Sequence, residues 1–339
     1  MRRLRVLVML HPQLQPPEHI ADRTEKEIEE WRVEYDVIAA LRAAGHEVHV
    51  QPVEDTLAQL DAALDSWRPH IVFNLLEEFD GRVANEPYLV AHLELRRQPY
   101  TGCNPRGLLL ARDKVLAKEL LRGAGIATPA WLVARRGRVP RLPRSLAFPL
   151  IVKSATDDAS LGLAQASVVR NAAQLHARVR LMHRRHGCDA LVEEYIDGRE
   201  LYVGVLDGDR PRPLPVWELQ FGRLPPRTAR IATRRIKWDR GYQRRLGIGP
   251  RPAADLGAPL TRRIQQRALA VWRTLRLSGV ARIDFRLRGD GELFVLEANP
   301  NPNIARIEDL ASSASAAGIG YAALIARLLQ AGLRRTPAA

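Results

Sequence analysis

Apolar residues recur with two periods along this chain, and the periods change places often. Arg5–Leu10 is a short, nearly continuous apolar run and predicts a strand. In residues 24–44, Ile28, Trp31, Tyr35, Ile38 and Leu41 are spaced by three or four, which predicts one helix. Gly45 stops it, as a left-handed cap does. Residues 47–50 predict a strand, 56–67 a helix, Ile71–Asn74 a strand and 86–97 a helix, before a short strand and turn at 99–102. This βαβαβα order predicts a parallel sheet with helices on its faces.

A second unit begins near Leu108. Residues 112–124 predict a helix that Gly125 and Pro129 end, and a proline-bearing loop covers 140–149. Residues 150–153 read as a short buried strand, 171–185 as a helix, and 190–195 and 201–206 as strands. From 222 to 254 the pattern dissolves into arginine, proline and glycine. Between Arg223 and Arg251 stand ten basic residues and one acid, Asp239. A long irregular segment in a compact protein is usually functional or disordered. Order returns with a helix at 259–277, a strand at Val280–Leu287, a turn at Arg288-Gly289-Asp290-Gly291 and a strand at 292–297. The Gly-Asp-Gly turn between two alternating runs predicts a hairpin. A last helix covers 320–332. The expected organisation is an N-terminal parallel α/β domain over 1–107, a central lobe over 108–190, and a C-terminal lobe over 191–333 that carries the hairpin and a mobile basic loop at 222–254.

Composition adds limits. The 339 residues suffice for two or three lobes around substantial cores. The apolar and charged fractions, 46% and 27%, are those of a soluble globular protein. No apolar run approaches the roughly 18 residues of a membrane span. The N-terminus has arginines followed by apolar residues, but Pro12, Pro16, Pro17 and an acidic stretch follow without a small-residue cleavage site, so a first strand is expected there rather than a signal peptide. Cys103 and Cys188 form no disulfide or metal pattern, which fits a reducing cytoplasm. The net charge is +14, and five of the 52 basic residues are lysine: Lys26, Lys114, Lys118, Lys153 and Lys237. Genome base composition produces such a skew as readily as function does. Still, lysine and arginine differ where a compact, flexible charge is wanted, so the surviving lysines mark candidate sites.

The chemistry concentrates on the hairpin. Arg282-Ile283-Asp284-Phe285 lies on one strand, and Leu296-Glu297-Ala298-Asn299-Pro300-Asn301-Pro302 ends its partner. Side chains alternate faces along a strand, so Arg282 shares a face with Asp284, and Glu297 with Asn299. Two carboxylates and an amide oxygen suit Mg²⁺, which takes oxygen ligands and completes its shell with phosphates and water. An ordinary surface ladder with an Asp–Arg pair is the plainer alternative.

These motifs resemble the metal-binding hairpin of the D-alanine–D-alanine ligases of the ATP-grasp superfamily. The likeness extends over most of the chain. Pro99-Tyr100-Thr101-Gly102 and Arg112-Asp113-Lys114 look like the family's entry to its central lobe, Phe148-Pro149-Leu150-Ile151-Val152-Lys153 like its ATP-lysine strand, and Leu191-Val192-Glu193-Glu194-Tyr195-Ile196 with Gly198-Arg199-Glu200 like its adenine hinge. The resemblance implies an α/β fold with α+β lobes, an ATP-grasp fold behind an N-terminal parallel-sheet domain. It also implies an ADP-forming ligase that joins a carboxylate to an amine through an acyl phosphate, with ATP and Mg²⁺ (or Mn²⁺) as cofactors. Lys114 and Lys153 would contact ATP phosphates. Glu193, Glu194 and the backbone of Ile196 would hold adenine, and Glu200 the ribose. Lys237 would reach the terminal phosphates from the basic loop. Asp284, Glu297 and Asn299 would hold the metal, and Arg282 would steady the tetrahedral intermediate. Ser160, in Ser160-Leu161-Gly162, sits where the family has a small phosphate-covering loop, whose Gly and Ser permit close backbone approach. The substrates expected are small carboxylates and amines, amino acids among them, and the resemblance allows a homodimer.

Two departures concern the substrates. The family carries a glycine-rich turn after its first strand and then a glutamate for the first substrate's ammonium; here that stretch is His11-Pro12-Gln13-Leu14-Gln15-Pro16-Pro17. Glu77 and Glu78 are the candidates to supply the anion instead. After the metal strand, Glu308 falls about where the family has a serine that receives the acceptor carboxylate, with Arg306 nearby and Asn303 in the place of a glycine. D-alanine is therefore not the expected substrate, though a genuine D-alanine–D-alanine ligase is an alternative. A nucleic-acid-binding protein is disfavoured, since only Trp238 and Tyr242 interleave the basic segment. A nucleotide-binding regulator would need no Arg282.

Overall fold

The computed structural model describes residues 2–20, 23–155 and 163–335. The N-terminal unit comprises β1 (Arg5–Leu10), α1 (Glu25–Glu30), α2 (Arg32–Ala43), β2 (Glu47–Pro52), α3 (Ala58–Trp67), β3 (Ile71–Asn74) and α4 (Glu86–Leu95). Its sheet has the order β2-β1-β3, all parallel, and Tyr100 adds one parallel bridge to Val72. The central strand is apolar from Val6 to Leu10, where both its faces are covered, as parallel sheets require. Leu7 and Met9 pack with Leu60, Leu89 and Leu93, whereas Val6, Val8 and Leu10 pack with Val37, Leu41 and the C-terminal helix. The helix expected over 24–44 is two helices. A reciprocal Thr24–Glu27 capping box starts α1, and the chain breaks at Trp31, whose φ of −128° is not helical. The apolar spacing runs through that break, which is why periodicity does not reveal it.

The middle unit comprises α5 (Pro105–Arg112), α6 (Lys114–Gly123), β4 (Trp131–Ala134), β5 (Leu150–Ser154), β6 (Val168–Val169), α7 (Ala172–His186) and β7 (Ala190–Glu194). The Asp113 carboxylate accepts from the backbone N–H groups of Val115 and Leu116 and so separates α5 from α6. The antiparallel sheet β4-β7-β5-β6 is backed by Leu175, Val179 and Met182 of α7.

The last unit comprises β8 (Arg199–Leu206), β9 (Arg212–Pro213), β10 (Trp217–Gln220), α8 (Arg234–Trp238), α9 (Arg240–Leu246), β11 (Gly249–Pro252), α10 (Ala258–Thr274), β12 (Val280–Leu287), β13 (Leu293–Pro300), α11 (Asp309–Ala316) and α12 (Tyr321–Arg334). Its main sheet has the order β11-β10-β8-β12-β13. Leu324 and Leu328 of α12 join the core of the N-terminal sheet. The basic stretch over 222–254 is irregular only as far as residue 233, and regular elements follow. Thr233 caps α8, Asp239 caps α9, and β11 pairs antiparallel with β10 at the sheet edge, the position where Pro250 and Pro252 are tolerated. These pieces are too short for a periodic signal. Among the described residues no single helix is long and apolar enough to cross a membrane.

Candidate active site

The β12–β13 register places Arg282 opposite Asn299 and Asp284 opposite Glu297, so all four side chains share one face. Arg282 makes a two-pronged pair with Asp284, Nε to Oδ1 at 2.8 Å and Nη2 to Oδ2 at 3.0 Å. Its third nitrogen donates to Asp309 Oδ2 at 3.1 Å, and its guanidinium lies over the Tyr202 ring, 4.6 Å from the centroid. Asn299 Nδ2 donates to Asp284 Oδ2 at 3.1 Å. Burial pushes the Asp284 carboxyl up to about 6, against the pull of Arg282. Burial acts the same way on Glu297, but Lys114, Lys237, Lys153 and Arg282 outweigh it and bring that group down to about 2. The two carboxylates therefore differ: one is neutralised by a guanidinium, the other faces several cations.

The opposite wall is built on β5 and β7. Glu193, 2% exposed, lies between two lysines, with Lys153 Nζ at 2.6 Å from Oε2 and Lys118 Nζ at 2.5 Å from Oε1. The Lys118 contact is an ion pair without hydrogen-bond alignment. Lys118 also donates to Thr128 Oγ1 at 2.5 Å and to the Pro129 carbonyl at 3.3 Å. Burial raises the Glu193 carboxyl and the lysines more than offset it, leaving it below the usual range. On β8, Glu200 accepts from Tyr202 Oη at 2.8 Å and from Arg286 Nη2 at 2.7 Å. Arg286 also donates to the carbonyls of Gly198 and Arg230, which ties the β7–β8 connection to the basic segment.

Between these walls runs a cleft of about 840 Å³ including its open mouth. Lys114, Lys153, Lys237, Glu200, Asp284 and Glu297 all line it, as do Glu193, Glu194 and Ile196. Arg282 and Asn299 open instead onto an adjoining cavity, about 1280 Å³ with its open mouth included, that shares Lys237 and Glu297 with the cleft. Ser160 lies outside the described residues.

Arg240 of α9 crosses the second cavity. It donates to Glu29 Oε1 at 3.1 Å and to Glu308 Oε1 at 2.9 Å, and so fastens the basic segment to α1 and to the cap of α11. Burial raises the Glu308 carboxyl and Arg240 opposes that rise. Glu77 lines the cavity, Glu78 lies 3.8 Å from His11, and Arg306 stacks over Tyr321 away from it.

Lys118, Arg286, Asp309 and Arg240 were not among the residues expected from the sequence. Lys118 carried a usable signal, being one of the few lysines kept in an arginine-rich chain. The other three had none, because arginines are everywhere and the cap of α11 has no motif.

The donors present fit a Mg²⁺ ion. Asp284 and Glu297 face each other across the hairpin, and Asn299 spends its Nδ2 on Asp284 while its Oδ1 remains as an oxygen donor. Among the described residues no group of three or more His, Cys, Asp or Glu converges. A cation here takes the rest of its shell from phosphates and water, as Mg²⁺ does.

Residues 120–330 match the family model described as the D-ala D-ala ligase C-terminus. The chain is 32% identical to the uncharacterised protein y4sG of Sinorhizobium fredii over 90% of this chain and 88% of that one. It is 32% identical to a D-alanine–D-alanine ligase of Nitratidesulfovibrio vulgaris over 87% of this chain and 90% of that one. Among solved structures, the D-alanine–D-alanine ligase of Bacillus anthracis complexed with ATP superposes with a TM-score of 0.74 at 22% identity, covering 98% of both chains. That of Coxiella burnetii gives 0.71 at 19% identity, over 99% of this chain and 95% of that one.

Proposed function

This chain belongs to the D-alanine–D-alanine ligase family of ATP-grasp enzymes, ADP-forming carbon–nitrogen ligases that use ATP and Mg²⁺, and we propose that it activates a small carboxylate as an acyl phosphate and joins it to an amine in the two adjoining cavities described above. The observation that carries this reading is the meeting of Lys114, Lys153 and Lys237 around Glu297, where the cleft adjoins the cavity holding Arg282.

In this reading Lys114, Lys153 and Lys237 donate to the ATP phosphates as flexible point charges. Glu194 and the Ile196 backbone hold adenine. Glu193 joins them chiefly by positioning Lys153, and Glu200 receives the ribose. Asp284, Glu297 and Asn299 hold Mg²⁺, which neutralises phosphate charge when bound. Arg282 is held by Asp284 and Asp309 before any substrate arrives, so it meets a developing oxyanion without reorganising. The segment over 222–254 brings Lys237 and Arg240 over the junction and shields the acyl phosphate from water. We place the reaction in the cytoplasm, and a homodimer is the expected assembly, open to test by sedimentation.

D-alanine is the substrate named for several relatives. Here Glu308, backed by Arg240, stands beside the second cavity and disfavours a substrate carboxylate at that point. Weak turnover with D-alanine alone is the expected result. The acyl-phosphate step is tested with a carboxylate substrate labelled with ¹⁸O. Attack of its oxygen on the γ-phosphorus, followed by displacement by the amine, transfers one labelled oxygen to inorganic phosphate. Unlabelled phosphate released alongside amide product would refute the route.

A further inference from the structure

β13 is the edge strand of its sheet and pairs there with β12 alone, yet its last residues include Glu297 and Asn299. A strand end held on one side is open to fraying. Asn301, the first residue beyond β13, stands between Pro300 and Pro302 with a φ of +54°. That left-handed conformation is unfavourable for a residue other than glycine, and a following proline favours extended backbone instead. It persists only where the surroundings impose it. Here they do, because both ends of the Asn301 amide are engaged. Its Oδ1 accepts from the Cys103 N–H at 2.6 Å, and its Nδ2 donates to Glu86 Oε1 at 3.0 Å. Glu86, fully buried at the start of α4, is paired with Arg112 at the end of α5. Two left-handed glycines make the approach possible. A Cβ at Gly102 would lie 2.6 Å from Asn301 Oδ1, and one at Gly279 would lie 2.2 Å from the Gly102 carbonyl oxygen.

The clasp therefore grips the chain two residues after Asn299, from the side of β13 that has no strand neighbour. We propose that Asn301 and Glu86 are positioning residues for the metal donors of β13. They act through Asn299, whose Nδ2 bond to Asp284 Oδ2 and whose register opposite Arg282 both depend on where the strand ends. Asparagine suits the post on two counts: it tolerates the left-handed backbone, and its amide offers one acceptor and one donor in a fixed plane. Glu86 supplies the fixed end, since Arg112 holds its carboxylate in place from α5. The metal donors are thus aligned by the N-terminal part of the chain as well as by their own hairpin. The assignment rests on the ATP and Mg²⁺ reading of the cleft given above.

The experiment titrates Mn²⁺, with protein-bound metal read by electron paramagnetic resonance, into the full-length protein holding the imidodiphosphate analogue of ATP. Neither substrate nor turnover is needed. Asn301→Gly accepts the left-handed backbone and removes only the clasp. Partners of metal ligands typically contribute 10–100-fold to metal affinity, so Asn301→Gly is expected to weaken Mn²⁺ about tenfold and to leave the affinity for the metal-free analogue, measured by calorimetry in chelator, within about twofold. Asn301→Asp keeps the Cys103 contact but sets a carboxylate against Glu86, and weakens Mn²⁺ at least as much. Adding Glu86→Gln to Asn301→Asp reverses the polarity of the bond: the new amide donates to the new carboxylate, and its oxygen accepts from Arg112. This double variant regains most of the Mn²⁺ affinity. All titrations run below the melting temperatures of the variants. A clasp that only stabilises the fold would lower the melting temperature of Asn301→Gly and leave its Mn²⁺ affinity unchanged, and that result overturns the proposal. A double variant no better than Asn301→Asp overturns it too, and this second comparison stands by itself should Asn301→Gly not fold. A wild type that binds the analogue but no Mn²⁺ would overturn the metal reading of the cleft, and the proposal with it, whereas equal Mn²⁺ affinity in wild type and variants removes the proposal alone.

Discussion

Replacing Glu193 with Gln leaves shape nearly unchanged and removes the anion that two lysines share. Lys118 and Glu193 are both almost completely enclosed, and Lys153 is about four-fifths so. Taking one partner from a buried ion pair costs about 3–5 kcal/mol, because the other charge is left uncompensated. Here two ammonium groups remain, which argues for the upper end. Two features pull the figure down: Gln keeps one acceptor oxygen, and Lys118 retains Thr128 Oγ1 and the Pro129 carbonyl. We expect a loss of about 3 kcal/mol in urea unfolding at pH 7. The pH dependence has a definite sign. The folded-state pKa of Glu193 is depressed, so its contribution is complete above the unfolded value of about 4.3 and is lost as pH falls through the folded value. The difference between wild type and Glu193→Gln is therefore constant from about pH 5 to 8 and shrinks below about pH 4. ATP restores part of the loss, since its phosphates offer Lys153 a new partner. A variant as stable as the wild type at pH 7, or a difference that grows in acid, would refute this account of the lysine pair.

Arg282→Lys keeps the charge but loses the two-pronged contact with Asp284 and the reach to Asp309, so kcat falls about 100-fold or more while the ATP dissociation constant changes little, as paired kinetics and calorimetry would show. Arg240→Ala unfastens the basic segment from Glu29 and Glu308; the ratio of ADP to amide product rises above one as water reaches the acyl phosphate, and a ratio unchanged at one would contradict the shielding role. Lys237→Ala weakens ATP binding by about tenfold and leaves the melting temperature of the free protein unchanged, because Lys237 is half-buried at the cleft rather than part of a core.

Strands with strong apolar character were legible to the residue: β1, β3 and β12 have the bounds that their patterns predict. Short elements without a continuous apolar run were not. β10 alternates Trp217 and Leu219 with Glu218 and Gln220 over only four residues, and α11 is rich in serine and alanine, so neither a run nor a period develops. The basic segment hid α8, α9 and β11 behind its arginines. In the cleft, alternation along β12 and β13 was enough to put Arg282, Asp284, Glu297 and Asn299 on one face. The partnership of Lys118 with Glu193 needed the packing of α6 against the β5–β7 wall, which no local pattern encodes. Glu34 was the hardest to read. An acid inside the helix expected over 24–44 reads as part of its solvated face, and only the fold shows Glu34 enclosed.

The central claim is that this protein condenses a carboxylate with an amine at the expense of ATP. The most direct measurement is ADP release by purified protein with ATP and Mg²⁺, screened against pools of amino acids and small carboxylates, with mass spectrometry of the products. The account predicts ADP release that depends on a particular pool, in one-to-one yield with a product lighter by one water than its two precursors. ADP release without any condensed product, or tight ATP binding with no ADP from any pool, would contradict it.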